Sequence, residues 1–249
     1  LGGEQFMSER RGLMLMSSGN GEDTLKKLLD NTLTSFEYTG TATKQHLFQS
    51  CTALESLSFP NATTIEDYMC DHCTGLTYIN FPNVITIKQF AFQECSSLTM
   101  LKFPELTTIS GQYAMAYVGR SSTNGVTIIL PKIQTMGTDT FRGCKTTAVD
   151  LGADLSQLPS RCMYATGVAD NYPVVILRKS DAIVTLANVN AIAPGTNKTC
   201  TIYVPEALIS SYQADSSWQT VLARTGVSMT KIEGTTYETH YADGTLIVA

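Results

Sequence analysis

The chain has 249 residues, 43% of them hydrophobic and 16% charged, with a formal net charge of −5. That length supports one sizeable core, and the acidic balance argues against a nucleic-acid partner, which needs a basic stripe; here Arg10-Arg11 and Lys26-Lys27 are isolated doublets. No run of about 18 apolar residues is present to span a bilayer as a helix.

Residues 4–16, around Gln5-Phe6-Met7-Ser8-Glu9-Arg10-Arg11-Gly12-Leu13-Met14, predict a short amphipathic helix, followed by a linker over Ser17–Asp23. Leu13-Met14-Leu15-Met16 is too short for the apolar region of a secretory signal, and a mature product would lack one, so localisation is left open. Residues 25–30 predict a second helix, which caps the first turn of a repeat array.

From Phe36-Glu37-Tyr38 onward the chain repeats itself. Cys51, Leu54, Leu57, Phe59, Pro60, Ile65 and Tyr68 are followed by Cys73, Leu76, Ile79, Phe81, Pro82, Ile87 and Phe90, then by Cys95, Leu98, Leu101, Phe103, Pro104 and Ile109. The step is 22 residues with no gap. A five-residue insertion near Arg120–Asn124 precedes Ile128, Leu130, Pro131, Met136, Phe141 and Cys144, since 131 − 104 = 27. Looser units carry Val149-Asp150-Leu151, Val174–Leu177 and Thr201–Pro205. A fixed period of this length marks a solenoid, whose units bury their apolar faces only against one another. Residues 57 and 59 alternate with polar neighbours, so they share one face of a short strand, and stacked units align these strands in parallel. Proline ends each strand, and Ile65, Ile87, Ile109 and Met136 return the chain to the opposite wall. Phe48, Phe92 and Phe141, three residues before a cysteine, close the turns. The fold expected is α/β and β-rich, with helical caps. Leu57, Ile79 and Leu101 are expected in one column of adjacent strands, beside Phe59, Phe81 and Phe103.

The pattern Cys-x-x-Leu-x-x-Leu/Ile-x-Phe-Pro-x-x-x-x-Ile resembles the BspA-like leucine-rich repeat family, strongly over residues 48–115 and loosely over 33–205. Tyr203–Leu208 through Tyr212 to Trp218 is similar to the way such chains end, with a strand running through Val-Pro into a short capping helix. The resemblance implies a bacterial, often cell-surface, binding protein without catalytic activity, and it carries over no ligand and no active-site residue. Residues 9–16 are also weakly similar to the start of some prophage-encoded structural proteins. The division expected is 1–31 for helix, linker and cap; 32–204 for the solenoid, with its insertion near 117–125; 205–230 for the capping helix; and 231–249 for a hairpin tail around Asp243-Gly244.

Catalytic patterns are absent from the sequence. His46, His72 and His240 fall in unrelated registers, Glu66-Asp67 reads as a solvated turn, and neither a P-loop nor a Gly-x-Ser-x-Gly motif occurs. Cys70-Asp71-His72-Cys73 has the spacing of half a zinc site, but Cys73 holds the cysteine position of its repeat and Cys70 the place of Phe48 and Phe92. Neither metal nor cofactor is expected, and the seven cysteines read as buried reduced thiols. Asn61-Ala62-Thr63 and Asn197-Lys198-Thr199 match glycosylation sequons, which count only in a eukaryotic secretory host. The function expected is a surface or secreted adhesion or interaction module for a protein or glycan; the alternative is a component of a larger assembly such as a phage particle, docked through residues 1–30. The outward strand residues are Ser56, Ser58, Tyr78, Asn80, Met100, Lys102, Thr127 and Ile129, and the binding patch expected among them is Tyr78, Asn80, Met100 and Lys102.

Overall fold

The computed structural model describes residues 21–166, 174–193 and 199–239. The helix expected over 4–16 lies outside them, as does most of the expected C-terminal hairpin. Tyr237 and Glu238, which that hairpin's first strand would include, form part of a 3-10 turn over Thr236–Glu238.

The chain winds as a solenoid. Among the described residues one side, the front, carries nine strands: β1 (Ser35–Glu37), β2 (Ser56–Ser58), β3 (Tyr78–Asn80), β4 (Met100–Lys102), β5 (Val126–Leu130), β6 (Thr146–Leu151), β7 (Val174–Leu177), β8 (Cys200–Val204) and β9 (Val227–Lys231). Every pairing among them is parallel, because each turn brings the chain back in the same direction. Phe36 pairs with Leu57, Leu57 with Ile79, and Leu101 with Ile128. Leu57, Leu101, Ile128, Phe59 and Phe103 point inward and are fully buried, each contributing about 1.5–3 kcal/mol by leaving water.

The second wall is built the same way with two-residue strands. Thr64–Ile65, Thr86–Ile87 and Thr108–Ile109 lie parallel in register, and Thr108 bridges to Thr135. Ile65, Ile87 and Ile109 are buried there, with Met136 half-buried against the same core.

Between second wall and front, each of the turns leading to β2 through β7 contains two residues with left-handed backbone, four apart: His46 and Ser50, Tyr68 and His72, Phe90 and Glu94, Tyr113 and Tyr117, Asp139 and Gly143, Arg161 and Ala165. For a residue other than glycine that conformation costs roughly 1–2 kcal/mol. It is offset by a third ladder. The N–H groups of His46, Phe48 and Ser50 donate to the carbonyls of Asp67, Met69 and Asp71 at 2.8–3.0 Å, and those of Tyr68, Cys70 and His72 to Gln89, Ala91 and Gln93. The half-buried rings of His46, Tyr68, Phe90 and Tyr113 stack along this edge, at centroid separations of 4.7, 4.7 and 5.5 Å. The left-handed positions also divide the five-residue insertion. Phe90 to Tyr113 is 23 residues and Tyr113 to Asp139 is 26, so one extra residue precedes Tyr113 and the other four fall after it.

The ends are covered. Helix α1 (Gly21–Leu29) buries Leu28 against the first turn and carries an Asp23–Lys27 ion pair at 2.7 Å. After Pro205 a 3-10 turn leads into α2 (Ile209–Ala214) and α3 (Ser216–Leu222). Asp215 caps α3 by accepting from the N–H groups of Ser217 and Trp218, both at 3.0 Å. Tyr212 and Trp218 are fully buried edge to face, 5.0 Å apart. The Val184 N–H donates to the Tyr212 hydroxyl at 2.9 Å, and the Trp218 indole N–H donates to the Val184 carbonyl at 2.8 Å. Two aromatic polar tips thus close the main chain of the last turns.

The front sheet is not continuous. β1-β2-β3 form one sheet and β9-β8-β7-β6-β5-β4 another, so β3 and β4 do not pair. The expected column is therefore unbroken from Leu57 to Ile79 and interrupted between Ile79 and Leu101. Phe59 and Phe81 stack at 5.6 Å, but Phe81 reaches Phe103 only through Phe92, whose ring lies 6.0 Å from each. The second wall and the left-handed ladder remain intact across the same interface, with Thr86 paired to Thr108 and the Phe92 N–H bonded to the Ala114 carbonyl. Three-residue strands bring few hydrogen bonds to each interface, so the other two ladders suffice to hold these turns together.

Candidate binding cleft on the strand face

Where β3 and β4 part, a cleft of about 440 Å³ opens. That lies within the usual range of ligand sites, about 300–1,000 Å³. One lip carries Tyr78, Ile79, Asn80 and Phe81, the other Met100 and Lys102. Tyr78 is the most exposed large apolar side chain described, at 57%. Asn80 donates from Nδ2 to Ser58 Oγ at 3.0 Å, which orients its amide along the sheet. Ile79 is half-buried, whereas its counterparts Leu57 and Leu101 are fully buried. Tyr78 and Met100, and Asn80 and Lys102, are thus brought to one place as facing lips, and not as the neighbours on paired strands that the period predicts. Ile79 and Phe81 add an apolar floor that the outward positions alone did not reveal.

The lips also present main chain. At the preceding interface the Tyr78 N–H donates to the Glu55 carbonyl and the Phe59 N–H to the Asn80 carbonyl. At the following one the Thr127 N–H donates to the Thr99 carbonyl and the Phe103 N–H to the Ile129 carbonyl. Among the described residues no main-chain hydrogen bond joins 77–81 to 99–103.

Toward the C-terminus the front face is covered by the chain itself. Ile129, Ala148 and Ile176 point outward from β5, β6 and β7, yet are buried in a second small core with Ile232, flanked by Tyr203 and Tyr237. The expectation that Ile129 is presented outward to a partner is corrected: residues 232–237 lie over it. Arg178 locks this cover. It makes a two-pronged pair to Asp150, Nε to Oδ1 at 2.8 Å and Nη2 to Oδ2 at 2.7 Å, and donates to the carbonyls of Tyr237 and Glu238 at 3.0 and 3.3 Å. The sequence signal was there: Ile128-Ile129-Leu130 and Val174–Leu177 are continuous apolar runs, the pattern of strands buried on both faces.

The remaining polar clusters tie turns together. Asp71 accepts from Gln49 Nε2 at 2.9 Å and lies 2.7 Å from His72 Nδ1. Lys88 reaches Glu66 at 2.7 Å, and Asp139, fully buried, holds Arg161 at 2.8 Å and Arg142 at 3.2 Å. All seven cysteines are buried thiols, none in a disulfide. Cys73, Cys95 and Cys144 donate from Sγ to the carbonyls of Phe48, Cys70 and Met115, at 2.9, 3.1 and 2.8 Å. Burial pushes the Cys144 and Cys200 thiols up to about 12, and those of Cys70, Cys95 and Cys162 upward as well. Among the described residues no group of three or more His, Cys, Asp or Glu is placed to hold a metal ion, and no helix is long and apolar enough to cross a membrane.

Residues 41–168 match the family described as BspA type leucine rich repeat region, in six copies. The six left-handed pairs fall within that stretch. Among solved structures the chain is similar to the crystal structure of the T. pallidum leucine rich repeat protein TpLRR, with 20% identity over 58% of this chain and 74% of that one, and a TM-score of 0.48. No curated protein matches it.

Proposed function

Since the chain belongs to the BspA-type leucine-rich repeat family, we propose that it is a non-enzymatic interaction module, secreted or at a cell surface, that engages a protein through the front of its N-terminal half. Leucine-rich repeat domains generally mediate protein binding. The observation that carries the assignment to this half is the division of the strand face: the C-terminal part lies under residues 232–237, while Tyr78 stays 57% exposed beside an open cleft. Tyr78, Asn80, Met100 and Lys102 are the proposed contact residues, held on strands whose positions the other two ladders fix, so little ordering entropy is lost on binding.

The test is retention of surface and secreted proteins on the immobilised chain. Aromatic side chains dominate hot spots, so Tyr78→Ala is expected to weaken a retained partner roughly tenfold or more and Lys102→Ala by less. Retention that survives Tyr78→Ala and disappears on deletion of residues 1–20 would transfer the function to an assembly component docked through its N-terminal segment.

A further inference from the structure

We propose that the cleft between β3 and β4 is a strand-insertion site, which takes an extended peptide segment of a partner protein and completes the front sheet with it. The inference rests on the binding role of the strand face and says how that face recognises its ligand. Four main-chain groups on each lip lack the partners that the same positions have in every neighbouring turn. By the register of the flanking interfaces these are the Thr77 carbonyl, both groups of Ile79 and the Phe81 N–H on one side, with both groups of Met100 and of Lys102 on the other. Each lip alternates acceptors and donors with the two-residue period of a strand, which an extended peptide matches with its own N–H and C=O groups and a glycan does not.

Three further features favour a peptide. The floor of Ile79 and Phe81 is apolar and receives every second side chain of an extended segment, with Met100 on the lip above it. Lys102 has no ion-pair partner among the described residues, so an acidic residue of the ligand complements it. The lips are recessed between two sheets, which admits a single extended chain and excludes the edge of another folded sheet; an open edge so placed is protected from edge-to-edge aggregation without being closed to a ligand. Pro82 and Pro104 end both lips at the same level and bound the length of segment that fits. Main-chain pairing then supplies affinity, and the floor and Lys102 supply sequence preference.

The experiment uses an array of labelled heptapeptides alternating apolar and polar residues, with aspartate or glutamate at one polar position, against the intact chain. The strongest binders are resynthesised with N-methyl groups on alternate amides, which removes main-chain donors and leaves the side chains unchanged. The expected result is a tenfold or greater loss of affinity on N-methylation. Hydrogen exchange read by NMR should also slow tenfold or more at the amides of Ile79, Phe81 and Lys102 on binding, and not at Leu57. Binding that is indifferent to N-methylation, protection elsewhere, or an array without binders would each overturn strand insertion. None of those outcomes decides the strand-face reading, which stands or falls with Tyr78→Ala in the retention assay.

Discussion

Cys73, Cys95 and Cys144 occupy a position where a small apolar side chain would fill the space, yet each thiol also donates to a buried carbonyl of the preceding turn. That donation explains cysteine at a place alanine would fit. Cys144 and Cys200 are raised to about 12, whereas an unfolded thiol ionises near 8.5. Below that value the two states hold equal numbers of thiol protons, and above it only the unfolded chain loses them. Stability in reductant is therefore expected to be level up to about pH 8.5 and then to fall toward pH 12, by about 1.4 kcal/mol per pH unit for each such thiol. Urea midpoints at pH 8 and pH 10 check this, and Cys144→Ala should reduce the slope by one thiol's share; an unchanged slope would overturn the account. The front column carries a second expectation at this scale. Leu101→Ala, at a fully buried site, should cost about 2–5 kcal/mol, and Ile79→Ala distinctly less because its side chain already borders the cleft. Equal losses by chemical denaturation would mean that the cleft is closed in solution.

Among elements, the cover formed by residues 232–238 depends on Arg178, whose guanidinium serves Asp150 and two carbonyls at once. Arg178→Met leaves the Asp150 carboxylate buried without its cation. It should cost about 3–5 kcal/mol, the usual loss when one partner of a buried pair is removed, and speed limited proteolysis within 232–239. Proteolysis at the wild-type rate would show that the burial of Ile232 and the contact of Tyr203 with Tyr237, at 4.6 Å, hold the cover without Arg178. The sequence made the strands legible and their partners less so. Spacing of Leu57, Ile79 and Leu101 records which residues are buried, and burial is a property of side chains. Whether β3 pairs with β4 is decided by main-chain geometry, and no side chain on either strand reports it. The cover was half-written in the apolar runs of β5 and β7, but not in the tail that reaches them, because Ile232 and Tyr237 stand alone among polar residues.

For the whole molecule, the 22-residue period gave the winding, the parallel front and the second wall, since each needs only that equivalent residues recur at equivalent places. The left-handed pairs are not legible in the sequence because the residues that adopt them include His, Tyr, Phe, Glu and Arg, and a turn is ordinarily betrayed by glycine or asparagine. The candidate site was legible as a set of four outward residues and illegible as a cleft, for the reason that holds for β3 and β4.

The interruption of the front sheet also has a mechanical meaning. The turns of β2 and β3, and those of β4 and β5, are joined by three ladders, but the turns of β3 and β4 only by two, both on the far side of the cleft. The second wall there acts as the spine of a book, with the two halves of the solenoid as its boards. A load drawn along the solenoid axis bends the spine before it shears any ladder, so under tension the first extension event is expected between residues 82 and 99. Single-molecule pulling with handles at Gly21 and Thr239 would place that event, and a partner strand lodged between the boards would raise the force at which it occurs. A binding module of this build grips harder when occupied, and the same seam that admits a ligand sets the tension at which it lets go.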